Sequence, residues 1–195
     1  MLSAKIAIAV VGALALAIVG LWAVGEHLGP RPQAGRYAAP GLNPLSVAGA
    51  QAEAALLAST LLLIVYQAFE KLDENAIYDT LAQVTAGEAL ETLYLERAGA
   101  LAKGGLEAVD QTLHEMSLVD IQTTRSGETL TMNVQWLVIG TVGHQQHQHV
   151  RGNTYRAELM VAPVEGDWKI VRFTLLDVDR STAGQTLELE ESWWR

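Results

Sequence analysis

The chain reads as an α+β protein: one apolar membrane span, then three helices packed on a curved four-stranded antiparallel sheet. Three observations predict this. Ile6 to Val24 contains 19 residues without a charge. From Ser46 to Lys103 the apolar residues recur with helical spacing. After about Leu113 the period changes to alternation, the signature of strands buried on one face. Helices gathered before strands are an α+β order.

The apolar run at Ile6 to Val24 would be about 28 Å long as a helix, close to the thickness of a bilayer core. Lys5 precedes it, and Trp22 sits near its end, where an indole suits the headgroup region. A cleaved signal peptide with Ala23-Val24-Gly25 at the cut is the rival reading. The run exceeds a signal core of about 7–15 residues, which favours an anchor. Ala9, Ala13, Ala17 and Gly20 place small residues at short helical spacings, a pattern that lets a second membrane helix approach closely. Arg31 and Arg36 beyond the span nearly balance Lys5 and the amino terminus. The short tail with its early Lys places the following domain outside the cytoplasm, in the periplasm on the inner membrane.

Residues 26–45 hold Pro30, Pro32, Pro40 and Pro44 with Gly29, Gly35 and Gly41. That density of breakers excludes a helix and predicts a semi-extended linker. Ser46 to Phe69 is very apolar at Leu61-Leu-Leu-Ile-Val65, but Glu53, Thr60 and Gln67 repeat every seven residues. This polar stripe predicts an amphipathic first helix rather than a second span. Asp73-Glu-Asn75 opens a second helix, with Asp73 as N-cap and Ile77, Tyr78, Leu81 and Val84 at helical spacing. Gly87 begins a third, with Leu90, Leu93, Tyr94, Ala98 and Leu101 on one side and Lys103-Gly-Gly105 as its stop.

The four predicted strands cover about Leu113 to Thr124, Leu130 to Gly140, a stretch reaching Val161, and Trp168 to Val178. Ser126-Gly127 and Glu165-Gly166-Asp167 turn the chain between them. Met132, Val134, Trp136 and Val138 share one face of the second strand; Tyr155, Ala157, Leu159 and Val161 share one face of the third. A sheet of this kind, curved over helices, predicts a conical cavity. The domain then spans 46–179, and 180–195 is an acidic tail ending in a Trp pair.

Composition excludes several functions. The formal net charge is −9, without a basic stripe, so nucleic acid is not a partner. No cysteine is present, which removes disulfides, thiolate metal sites and cysteine nucleophiles.

Tyr66-Gln-Ala-Phe-Glu-Lys-Leu-Asp-Glu-Asn-Ala-Ile-Tyr-Asp-Thr-Leu81 resembles the opening of a domain found at the ends of bacterial membrane proteins. Gly140-Thr-Val-Gly-His-Gln-Gln-His-Gln-His-Val-Arg-Gly-Asn-Thr-Tyr155 and Asp167-Trp-Lys-Ile-Val-Arg-Phe-Thr-Leu-Leu-Asp177 are similar to later parts of it. The stretch from about Leu56 to Asp179 thus resembles the membrane-tethered branch of the nuclear-transport-factor-two-like superfamily. That branch includes the C-terminal domain of the mitochondrial import motor's membrane-tethering subunit. The resemblance implies a cone-shaped α+β domain and no named activity, because the superfamily holds both isomerases and non-catalytic modules. No acid–base pattern of its isomerase branch matches, so no catalytic residue is carried over.

One constellation has the residue types for chemistry. His144, His147 and His149 gather three of the five histidines within six positions. Imidazole is a good ligand for zinc, copper, nickel and iron, and residues two apart on a strand point the same way. Three imidazoles with an open position would hold a divalent transition metal as cofactor. Arg151, Asn153 and Tyr155 continue the same face, and with Tyr78 they are the residues of a small-ligand pocket. The plainer alternative is a hydrogen-bonded polar network, and Arg151 is a permanent cation that disfavours a neighbouring metal. A bulge at Gly152 would separate the two groups. Asp79 beside Tyr78 reads as a solvated helix residue, and Trp136 as core. Trp193 and Trp194 mark either an interface with a protein or membrane, or an unstructured tail.

Two functions from different classes follow. The first is a non-catalytic, single-pass accessory or assembly subunit of an integral membrane protein complex, using the small-residue stripe and the Trp pair. The second is an extracytoplasmic metal- or ligand-binding domain using the histidines.

Overall fold

The computed structural model describes residues 35–102, 112–144 and 147–180, with backbone alone at 112, 141–144 and 147–151. The predicted membrane span and the Trp tail lie outside these residues. Among the described residues, no helix is long and apolar enough to cross a membrane.

Among the described residues, the predicted sheet of four strands over three helices is corrected to a six-stranded mixed sheet, curled into a half-barrel, with four helices. The strands are β1 (Arg36–Ala39), β2 (Leu42–Ser46), β3 (Thr112–Ser126), β4 (Thr129–His144), β5 (His147–Val164) and β6 (Asp167–Asp179). Their order is β2-β1-β6-β5-β4-β3. The helices are α1 (Val47–Ala52), α2 (Ala54–Phe69), α3 (Glu74–Val84) and α4 (Gly87–Ala102).

The two extra strands come from the Pro/Gly-rich stretch expected to be a linker. Its breakers exclude a helix, but Pro40-Gly41 also suits a tight turn. Gly41 has φ +71, a left-handed conformation that a β-carbon resists. The turn pairs Ala39 with Leu42, and Tyr37 with Leu45. Pro44 lacks a ladder donor, and it is tolerated because β2 is an outermost strand. Ala39 and Leu45 enter the core, and the Trp168 indole N–H donates to the Leu45 carbonyl at 3.2 Å. The Ala38 N–H donates to the Gly166 carbonyl at 2.9 Å, joining β1 to the start of β6 in parallel.

The fourth helix arises because the predicted first helix is broken near its start. Ser46 caps α1 by accepting from the Gly49 N–H at 3.1 Å. Glu53 leaves helical geometry at φ −103, ψ 27, and α2 starts beyond it. Asp73 caps α3 through the Ala76 N–H at 2.8 Å. After α3, Thr85 bridges Ile170 and the Ala86 N–H donates to the Ile170 carbonyl, so the turn into α4 lies against β6.

Strands β3 to β6 form an antiparallel meander. Glu165 and Gly166 both have positive φ, which gives the β5–β6 hairpin a turn whose twist matches that of its strands. The concave face of the meander is filled across its middle by the helices. Leu57, Leu61, Leu62, Ile77, Leu81 and Leu93 meet Met132, Val134, Ala157, Leu159, Val161 and Ile170 in one buried cluster. Helical side chains thus occupy much of the space where a cone was expected.

This packing predicts unequal costs along α2. Leu61 is fully buried, so Leu61→Ala lowers unfolding free energy by about 2–5 kcal/mol in denaturant titration. Leu63, two residues on, is 40% exposed, and its replacement by Ala changes stability by only about 0.5 kcal/mol.

Candidate functional site

Beyond the helical cover, the concave face continues toward the β4–β5 hairpin. Four side chains form a connected group there. The Trp136 indole N–H donates to the Tyr66 hydroxyl at 2.9 Å. The Trp136 ring stacks on Tyr155, with centroids 5.6 Å apart and planes 17° from parallel. The Asn153 Nδ2 donates to the Tyr155 hydroxyl at 3.3 Å, and the buried Asn153 Oδ1 has no hydrogen-bond partner among the described residues.

Each member is placed by backbone periodicity. Trp136 and Tyr155 are cross-strand partners, as are Val138 and Asn153, so all four share a face. Tyr66 is in the last turns of α2, beside the buried Val65. Its phenol is pushed well above the usual range, chiefly by burial, with the Trp136 hydrogen bond opposing that shift. Of this group, sequence reasoning read Trp136 only as core and missed Tyr66. It lies 70 positions from its partner, a separation at which no sequence period operates.

The helices are tied down nearby. Arg97 of α4 is buried and donates to the Lys71 carbonyl at 2.9 Å, closing α4 over the end of α2. Burial lowers its pKa. On β6, register shifts against β5 change which residues face inward. Ala157 pairs with Leu175, and Tyr155 with Val178. Leu175 and the following Leu176 are left exposed at the free end of this strand.

The predicted pocket residues do not all gather. Asn153 and Tyr155 are in direct contact, and Arg151 occupies the next same-face register position on β5. Tyr78 is elsewhere: on α3, 48% exposed, with its ring edge-on to Tyr94 of α4 at 5.8 Å.

The histidine segment has a defined backbone. The β4–β5 ladder runs without a register shift from Leu130 opposite Val161 to His144 opposite His147, so no bulge interrupts it at Gly152. His144 is therefore a strand residue paired with His147, rather than a loop residue. The side chains of His144, His147, His149 and Arg151 lie outside the described ones. Among the described side chains, no three His, Asp or Glu gather as a metal-binding group.

No family model matches this chain, and no curated protein matches it. Among solved structures it is similar to the intermembrane space region of the chloroplast protein ARC6, at 19% identity and a TM-score of 0.46. That match covers 63% of this chain and 95% of the other. It is also similar to a de novo designed β-sheet protein, at 16% identity and a TM-score of 0.32, covering 64% and 90% of the two chains. Likenesses this distant do not bear on what the chain does.

Two outcomes follow from the aromatic group. Tyr66→Phe strands a buried indole N–H and costs about 1–3 kcal/mol in chemical unfolding. The raised phenol pKa also has a sign. Above pH about 10 the unfolded chain gives up a proton that folded Tyr66 retains, so stability falls as pH rises. Denaturant midpoints measured between pH 8 and 11 show a shallower alkaline decline in Tyr66→Phe than in the parent.

Proposed function

We propose that the chain is a single-pass, membrane-anchored accessory or assembly subunit of a larger membrane protein complex, with its folded domain in the periplasm. The observation that carries this reading is the uncharged span Ile6 to Val24 with its small-residue stripe, Ala9, Ala13, Ala17 and Gly20. With no apolar solvent difference between helix and lipid, close packing through small residues is how two spans associate.

The domain supports a role in contact rather than conversion. The middle of its concave face is occupied by its own helices. Leu175 and Leu176 stand exposed at the end of β6, and the chain continues from there toward Trp193 and Trp194. Aromatic and aliphatic anchors of this type carry most of the energy of protein interfaces.

Purification in mild detergent followed by native mass spectrometry tests this reading. The intact chain is expected to run with a second membrane protein, and Ala13→Leu with Ala17→Leu to release it. A lone monomer in several mild detergents overturns the assignment. A C-terminal alkaline phosphatase fusion, active only outside the cytoplasm, reports the side of the membrane.

A further inference from the structure

The histidine hairpin plays no part in that reading, and the backbone gives it a geometry of its own. His144 is the last residue of β4 and lies directly opposite His147, the first of β5. His149 follows two positions along β5, opposite Val142. Because the ladder is unbroken back to the core, the three positions share the face that carries Met132, Val134 and Trp136 on β4, and Tyr155, Ala157 and Leu159 on β5.

Directly opposed strand residues have β-carbons about 4.5–5.5 Å apart, and diagonal neighbours are about 7–8 Å apart. Positions two apart along a strand are separated by about 7 Å. The three register positions thus mark the corners of one small triangle on one face. We propose that this triangle is a binding site for a single divalent transition metal ion of the zinc, copper and nickel type.

The chemistry selects the ion. Three neutral imidazoles suit borderline metals and offer nothing to calcium or magnesium, which need oxygen ligands. A fourth position stays open for water or a donor from another molecule. The chain's formal charge of −9 favours cation uptake. Arg151, the next position on the same face, opposes it. It lies about 7 Å along the strand from His149 but about 13 Å from His147. The Arg151 position is thus nearest to that of His149 and farther from the opposed pair of positions, His144 and His147.

The test uses the full chain in detergent, stripped with chelator and titrated with Zn²⁺ alone by calorimetry. One equivalent per chain is expected at pH 7.5, none with Mg²⁺, and at least tenfold weaker Zn²⁺ binding at pH 5.5, where imidazoles protonate. His144→Ala with His147→Ala removes the binding, His27→Ala with His114→Ala leaves it intact, and Arg151→Gln tightens it. Should the double alanine variant lose its far-ultraviolet circular dichroism, the parent itself is read instead. Zn²⁺ then protects His144, His147 and His149, but not His27 or His114, from diethylpyrocarbonate in peptide mass maps. Absence of a saturable single equivalent, persistence of binding in the folded double variant, or equal labelling of all five histidines overturns the proposal.

Discussion

Trp136 is the point at which the two layers of this domain are fastened. A curled antiparallel sheet presents a concave apolar wall that must be covered, and a helix laid against it is free to slide unless something polar fixes its position. Here the indole is buried, with its N–H on Tyr66 of α2 and its face on Tyr155 of β5. One side chain thereby sets the end of a helix against the centre strands of the sheet. Around it the filling is apolar and non-directional: Leu57, Leu61, Leu62, Met132 and Leu159 favour burial without specifying orientation. A buried donor that demands one partner adds the missing directionality.

Much of this order is legible in the chain, and the reasons are local. The alternation Met132-Val134-Trp136 reports an inward face because one wall of the sheet is buried and the other is not. Asp73 announces α3 because a short acceptor satisfies an orphan amide three residues on. What escaped the sequence was non-local or ambiguous. The Pro40-Gly41 pair is equally consistent with a loose tether and a hairpin turn, and only the indole of Trp168 and the edge of β6 decide for the hairpin. The first β6 shift flips its inward parity and the second restores it, so simple alternation misplaces Phe173 and Leu175 between them but not Val178.

The candidate site was legible in part for the same reason. Asn153 and Tyr155 fall together because parity holds along an uninterrupted strand. Tyr78 did not join them because helical spacing alone leaves open which side of α3 meets the core. Ile77, Leu81 and Val84 are buried there, and Tyr78 turns out to Tyr94. The histidine spacing made a shared face plausible, but the cross-strand pairing of His144 with His147 needed the hairpin register.

The strand order also bears on how the domain is made. The first of the described strands complete their bonding with the last of them: Trp168 reaches Leu45 across 123 residues, and Tyr37 meets the Trp168 ring edge-on at 5.5 Å. A ribosome delivers β1 and β2 long before β6 exists. An isolated two-stranded hairpin is only marginally stable in water. The nascent chain therefore carries an uncommitted hairpin with open edges until β6 has been made. Closure waits on one of the most distant contacts in the fold, and such contacts make folding slow. The seam between β1 and β6 is thus where assembly of the domain ends, and where an interrupted chain is most exposed to pairing with the wrong strand.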